Sequence, residues 1–400
     1  MIRDALLLGL GYNATLVTLG AALLGMAAGV SGTFLFLRKR ALVSDAISHA
    51  TLPGVAFAFM AMVALGAEGR NLAGLLGGAA ISAAVGLLCV TWLSTRTRLS
   101  EDAAIGAVLS VFFGFGIVLL TVIQTMNAGR QAGLEGFLLG STAGMLRADA
   151  LVIAVSAALT LALVMLLRRP LTLASFDPEF AASTGQNVTR TDLAMMGLVL
   201  AVTVVGLKIV GLILIVALLI IPPVPARFWT ERTEHVVLIS GAVGGVSAYV
   251  GAAISAAVPN VPTGPIIVLV GFALFVLSLL ASPGRGVMSA VLKHRTYQRR
   301  VHLRQGLLAL ASGQPIYERL TLRLLKARGW ALPDGVATPQ GQGQAARAMR
   351  DEVRWQAVRA DPAFEMAAAR YDGLTPLETV LTPDQIEEID RRIAGQEAPA

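Results

Sequence analysis

Apolar runs separated by short charged turns fill the first 284 residues of the chain. A helix that crosses a bilayer needs about 20 mostly apolar residues. Runs of about that length lie near 14–37, 41–65, 71–94, 103–126, 149–167, 192–206, 209–222, 236–258 and 264–282, which predicts about nine transmembrane helices. The sixth and seventh are short, and only Gly206-Leu207-Lys208 separates them. The segment 131–147, with Gln131, Glu135 and Ser141 among its apolar residues, is too polar to span and reads as re-entrant or interfacial. Beyond residue 284 the pattern changes to charged, amphipathic segments. The expected organisation is a membrane domain over 1–284, a basic linker over 285–298 and a small helical domain over 299–400.

Composition sharpens this picture. Of 400 residues, 55% are hydrophobic and 14% charged, against about 25% charged in ordinary soluble proteins. Residues 285–400 hold 17 of the 32 Lys+Arg and 13 of the 25 Asp+Glu, so the tail alone resembles a water-soluble domain. The net charge of +7 is spread over both parts and gives no argument for nucleic-acid binding. The single cysteine, Cys89, lies in an apolar run, reads as a buried thiol, and excludes both an intrachain disulfide and a cysteine metal cluster. Arg3 and Asp4 do not make a basic n-region, and no cleavable signal peptide is expected. Loop charge sets the orientation. Arg38, Lys39, Arg40, Arg96, Arg98, Arg168, Arg169, Arg190, Arg227 and Arg232 fall on one side, and Arg3, Arg70, Arg130, Arg147 and Lys208 on the other, a ratio of ten to five. The N-terminus is therefore expected outside, and nine crossings deliver the tail to the cytoplasm. The glycine groups Gly74, Gly77, Gly78 and Gly241, Gly244, Gly245 predict close helix approach.

Within the second run, Asp45 and His49 are four residues apart in Ser44-Asp45-Ala46-Ile47-Ser48-His49-Ala50. Ionisable groups in a membrane segment cost roughly 2.5–3.5 kcal/mol each on insertion scales. The i, i+4 spacing puts both on one helix face, where an oxygen ligand and an imidazole suit a divalent first-row metal. The plainer reading is a polar pair hydrogen-bonded within the bundle, and Ser44, Ser48 and Thr51 are compatible with either. Pro53-Gly54 then weakens the helix. One chain offers two ligands, whereas two copies about a twofold axis offer four. Counted from Ala41, the pair sits toward the cytoplasmic half of its helix rather than at the midplane.

Three further segments are informative. Asp177-Pro178-Glu179 predicts a helix start and Gly185 its stop, which makes a short helix in a cytoplasmic loop. Pro222, Pro223 and Pro225 predict a sharp end to the seventh crossing, with Arg227 at the interface. Ser100-Glu101-Asp102 opens the fourth crossing as a cap with two dipole-complementing carboxylates; the competing reading makes Glu101 and Asp102 a cation vestibule.

In matching order over about residues 10–283, these segments resemble the integral-membrane permease family of manganese, zinc and iron ABC importers. The resemblance implies an all-α polytopic membrane protein with a type II importer-like bundle, in a bacterial inner membrane. It implies two permease copies on a cytosolic ATPase dimer, fed by an extracytoplasmic metal-binding protein. Asp45 and His49 match the family's intramembrane ligands for the transported metal, with no permanently bound cofactor. The 177–185 helix, with Asp177, Glu179, Ala182 and Gly185, looks like its ATPase-coupling helix. The chain itself has no Gly-x-x-x-x-Gly-Lys-Ser/Thr phosphate loop, so it is expected to be no enzyme, with ATP hydrolysed on a separate subunit.

The tail reads as amphipathic segments at 301–310 and 316–328, a turn-rich hairpin over 329–339 with its turn at Asp334-Gly335, and a helix over 344–360. That order is similar to a winged-helix module of the diphtheria-toxin-repressor type. Arg319, Arg323, Lys326 and Arg328 suit phosphates but equally suit a solvated face, so a regulatory or assembly role is expected ahead of DNA as a partner. A helix capped at Thr382 closes the tail. The leading expectation is a permease for divalent manganese, iron or zinc; the absence of thiolate ligands disfavours copper(I). The repressor-like tail tilts the choice toward manganese or iron by association only. The alternatives are a permease for a metal chelate such as a siderophore or corrinoid, and a membrane-tethered metal-responsive regulator that binds DNA.

Overall fold

Glycine, proline and isolated polar side chains punctuate the apolar part of the chain, and most helices begin or end at them. The computed structural model describes residues 2–9, 11–66, 71–125, 145, 147–258 and 261–396. The chain divides into two compact units, Met1–Val287 and Met288–Ala400. In the first, a short α1 (Ile2–Leu6) precedes α2 (Tyr12–Leu37), α3 (Val43–Ala64), α4 (Leu72–Arg96), α5 (Glu101–Thr125) and α6 (Arg147–Phe176). Then come α7 (Pro178–Ser183), α8 (Val188–Val210), α9 (Leu212–Ile220), α10 (Pro223–Trp229), α11 (Thr233–Ala257) and α12 (Thr263–Ala281). Eight of these helices, α2 to α6, α8, α11 and α12, are long and apolar enough to cross a membrane. The chain is an all-α polytopic membrane protein. Most of the 131–147 segment lies outside the described residues.

Three boundaries differ from the sequence expectation. The fifth crossing, expected over 149–167, runs on to Phe176 through Arg168, Arg169 and Pro170. Arginine stems lie along apolar surface while their charged heads reach water, so charge alone does not end a helix. The seventh, expected over 209–222, is broken at Gly211, whose φ of +79° suits glycine. The three prolines do not stop the helical path, because Ile221 and Pro222 both keep right-handed helical angles. Pro223 then takes the first position of α10, where its missing N–H costs nothing.

The innermost helices are α2, α3 and α11, with 61%, 61% and 56% of their most apolar windows buried, against 17% for α12 and 22% for α5 and α6. Small residues put them there. Gly25 of α2 faces Gly244 of α11, and a Cβ added to Gly25 would lie 2.4 Å from the Gly244 carbonyl oxygen. Between the same helices Ser240 donates to the Gly29 carbonyl at 2.8 Å. Gly54 of α3 and Gly78 of α4 meet in the same way, at 2.1 and 2.4 Å. Gly77 has open space around it and does not take part. Pro53 is accommodated inside a continuous α3.

The second unit begins within α13 (Val287–Ala311), so most of the stretch read as a linker, 285–298, is helical. It continues through α14 (Arg319–Ala327), α15 (Pro339–Ala360), α16 (Glu365–Arg370) and α17 (Pro383–Gln396). The hairpin between α14 and α15 amounts to one antiparallel bridge, Ala331 with Ala337, around Gly335 at φ +85°. Trp355, Val358, Phe364, Leu377, Leu381 and Ile389 form its main apolar core. Arg354 grips Asp390 through two hydrogen bonds of 2.7 and 2.6 Å. Thr382 and Gln385 cap α17 reciprocally.

Candidate metal site and the charged end of the bundle

The turn between α2 and α3 sets the geometry of everything near it. Lys39 N–H donates to Phe36 and Arg40 N–H to Leu35, a Schellman ending with Lys39 at φ +60°. For a residue with a Cβ that conformation costs about 1–2 kcal/mol. Its neighbours hold it in place. Arg38 donates to the Ala174 carbonyl near the end of α6 and pairs with Asp192 in the first turns of α8, both at 2.5 Å. Arg40 pairs with Glu101 at the start of α5 at 2.8 Å and reaches Asp192 at 3.4 Å. The side chains are largely shielded; Arg38 is 10% and Asp192 20% exposed. One turn thus fastens the ends of α5, α6 and α8.

Glu101 is therefore committed to Arg40, while Asp102 is exposed beside it. Ser100 accepts from Ala103 N–H, so the local geometry is that of a capped and ion-paired helix start. Asp192 was not singled out in the sequence. Its one signal in the sequence is a lone carboxylate entering an apolar helix, and by sequence alone Arg38 and Arg40 speak only to topology.

Asp45 and His49 lie in the first and second turns of α3, about 3 and 9 Å along its axis at 1.5 Å per residue. The His49 Nε2 is 3.4 Å from Asp45 Oδ1, and the two side chains are 20% and 34% exposed. The edge of the imidazole meets the Phe113 ring of α5, with centroids 4.9 Å apart at 84°. His49 Nδ1 is buried and has no hydrogen-bond partner. Ser44, Ser48 and Thr51 are wholly buried and donate to carbonyls three or four residues back, those of Ala41, Ser44 and Ser48. Their protons are spent on backbone and not on the Asp–His pair. Among the described residues no third His, Cys, Asp or Glu completes a cluster. Chemically the pair offers carboxylate oxygen and imidazole nitrogen from one face and leaves further coordination positions to be filled.

The short helix α7 begins as its sequence implies. Asp177 accepts from Phe180 N–H at 2.8 Å, Pro178 follows at the first position, and Gly185 closes the helix at φ +84°. Ala181 is buried against the bundle, while Glu179, Ala182 and the Phe176 and Phe180 rings are exposed. Asn187 then caps α8 by accepting from Arg190 N–H.

The chain is 39% identical to the manganese transport system membrane protein MntC of Bacillus subtilis over 74% of its own length and 67% of that protein's. It is 38% identical to the zinc transport system membrane protein TroC of Treponema pallidum, over 71% and 94% of the two chains. Among solved structures it is similar to PsaBC from Streptococcus pneumoniae in complex with Fab. The TM-score is 0.62 and the identity 28%, covering 74% of this chain and all of that one. Residues 12–282, which hold the broken α9–α10 segment, the α2–α3 turn and the Asp45–His49 pair, match the ABC 3 transport family, and the chain belongs to that family as a membrane-spanning transport permease.

Proposed function

We propose that the chain is the permease subunit of an ATP-driven importer of a divalent transition metal, manganese, iron or zinc, whose cargo passes Asp45 and His49 of two copies. The observation that carries this reading is the incomplete satisfaction of the pair. An imidazole with one partnerless buried nitrogen beside a carboxylate has ligand capacity that its own chain does not use. A twofold partner would supply two more ligands and close a four-ligand site. The names of the relatives, manganese for MntC and zinc for TroC, favour a bare ion over a chelate, which would need a wide path and no such pair.

The remaining parts follow from that reading. With the broken α9–α10 segment as a ninth crossing beside the eight long helices, the N-terminus faces outward and the tail lies in the cytoplasm of a bacterial cell, as loop charge directs. An extracytoplasmic binding protein delivers the metal, and a cytosolic ATPase dimer pushes on α7 through Glu179, Ala182 and the exposed phenylalanines. The tail, with its two-point Arg354–Asp390 clamp, acts in regulation or assembly.

Uptake of radioactive manganese and zinc by cells carrying the transport system tests this. Asp45→Ala or His49→Ala is expected to abolish uptake while the permease still assembles with its ATPase. Transport at the normal rate by both variants would refute the assignment.

A further inference from the structure

Helices α6 and α11 both pack mainly on α2 and leave a groove between them at the α7 end of the bundle. The groove is a cavity of 670 Å³ with Phe34 of α2 on its floor. Met165 and Leu238, 58% and 57% exposed, form apolar walls on the two membrane-spanning helices. At the mouth stand Arg168, Arg169 and His235, with one carboxylate, Glu234, paired to Arg168 at 3.2 Å. Among the described residues Arg169 has no acidic partner, so the mouth keeps an excess of positive charge.

A groove with an apolar body at membrane depth and a basic mouth at the interface is matched to one kind of molecule. The bilayer supplies chains beside Met165 and Leu238, and an anionic headgroup supplies the charge that the mouth lacks. Zwitterionic lipid would offer the same phosphate but bring its own cation to a mouth already in positive excess, and would leave that excess uncompensated. A free phosphate would satisfy Arg169 and leave the apolar walls bare. We propose that this groove holds one anionic phospholipid of the leaflet on the α7 side. Its phosphate meets Arg168 and Arg169, His235 lies beside it, and one chain lies over Phe34. Because α6 leads at Phe176 directly into α7, the lipid braces the helix that carries the loop.

Native mass spectrometry of the full-length chain in detergent, titrated with phosphatidylglycerol or phosphatidylcholine, tests the proposal without reference to metal. The wild type is expected to retain phosphatidylglycerol about fivefold more tightly than phosphatidylcholine, since the mouth has one arginine in excess of its carboxylate and each basic residue at a membrane surface contributes about 1 kcal/mol. Arg168→Gln with Arg169→Gln should remove that preference, while Arg391→Gln in the tail should not. Leu238→Trp keeps the charges but fills the groove, and should reduce retention of both lipids; circular dichroism and melting show whether each variant is folded. Equal retention of both lipids by the wild type, or an unchanged preference in the folded double variant, overturns the proposal. So does a Leu238→Trp variant that loses self-association and keeps its lipid, which would make the groove a contact between copies.

Discussion

Two ionic groups lie within a few helical turns of each other at one end of the bundle, and they are built in opposite ways. In the first, Arg38 and Arg40 meet Asp192 and Glu101, and Arg38 also takes the Ala174 carbonyl. Every named charge there has an opposite within ion-pair distance. In the second, among the described residues, Asp45 and His49 have only each other as an ionic partner, at 3.4 Å, and the imidazole keeps a nitrogen with no hydrogen-bond partner. Both groups cost desolvation. The first offsets it inside the chain and works as a latch across four helices. On the function proposed above, the second leaves the offset to something that comes and goes, as transported cargo must. The contrast also explains why the strained Lys39 turn is tolerated at the latch, since two arginines fix the residues on either side of it.

The contrast can be broken experimentally, and the largest effect is expected at the unsatisfied pair. His49→Ala should lower metal uptake by about 100-fold or more, with little change in melting temperature. A large fall in stability with uptake retained would make the pair structural. At the latch the order reverses. Arg38→Ala leaves Asp192 with only the longer Arg40 contact and takes the donor from the Ala174 carbonyl, and should cost about 1–3 kcal/mol of stability. It should lower the yield of folded protein without changing which metal competes for uptake. Thermal melts in detergent, set beside competition assays, separate the two outcomes. Glu101→Gln removes a more exposed partner, and a loss of about 1 kcal/mol or less is expected. Glu101→Asp, which keeps the charge beside Arg40, should lose less stability than Glu101→Gln if the ion pair is what matters; equal losses would count against the pair.

The smallest effect lies in the tail. Asp372 accepts from the Thr375 hydroxyl and from the N–H groups of Leu374 and Thr375, which hold its carboxyl down at about 2, below the ordinary 3.8. A carboxylate with a depressed value stabilises the fold above its unfolded pKa, and that contribution disappears as pH falls through the native one. The protection of the Leu374 and Thr375 amides, taken relative to their intrinsic exchange rates at each pH, should therefore stay high at pH 5 and fall between about pH 4 and 2. Asp372→Asn should already exchange faster at pH 5, and an unchanged rate there would show that the carboxylate does not hold this turn.

Membrane crossings were legible because hydropathy over about 20 residues is a strong, local signal. The α7 cap was legible too, since Asp177, Pro178 and Gly185 each act on the backbone beside them. What escaped was non-local. Asp192 reads as an incidental polar residue until Arg38, 154 positions away, is seen against it. The prolines after Ile221 looked like a stop because sequence gives a helix breaker no direction. Whether Pro222 ends a helix or begins the next depends on backbone angles set by the packing of α9 and α10. The spacing of Asp45 and His49 fixed their shared face, but that the neighbouring hydroxyls bind backbone and that Phe113 lies against the ring needed three dimensions.

The central claim is that Asp45 and His49 of two copies hold the metal in transit, and the most direct measurement is metal content. The purified permease–ATPase complex, loaded with manganese or zinc and freed of excess ion, would be analysed by inductively coupled plasma mass spectrometry. The account predicts roughly one ion per two permease copies, lost in the folded variant carrying both Asp45→Ala and His49→Ala. The same metal content in that double variant as in the wild type would contradict it.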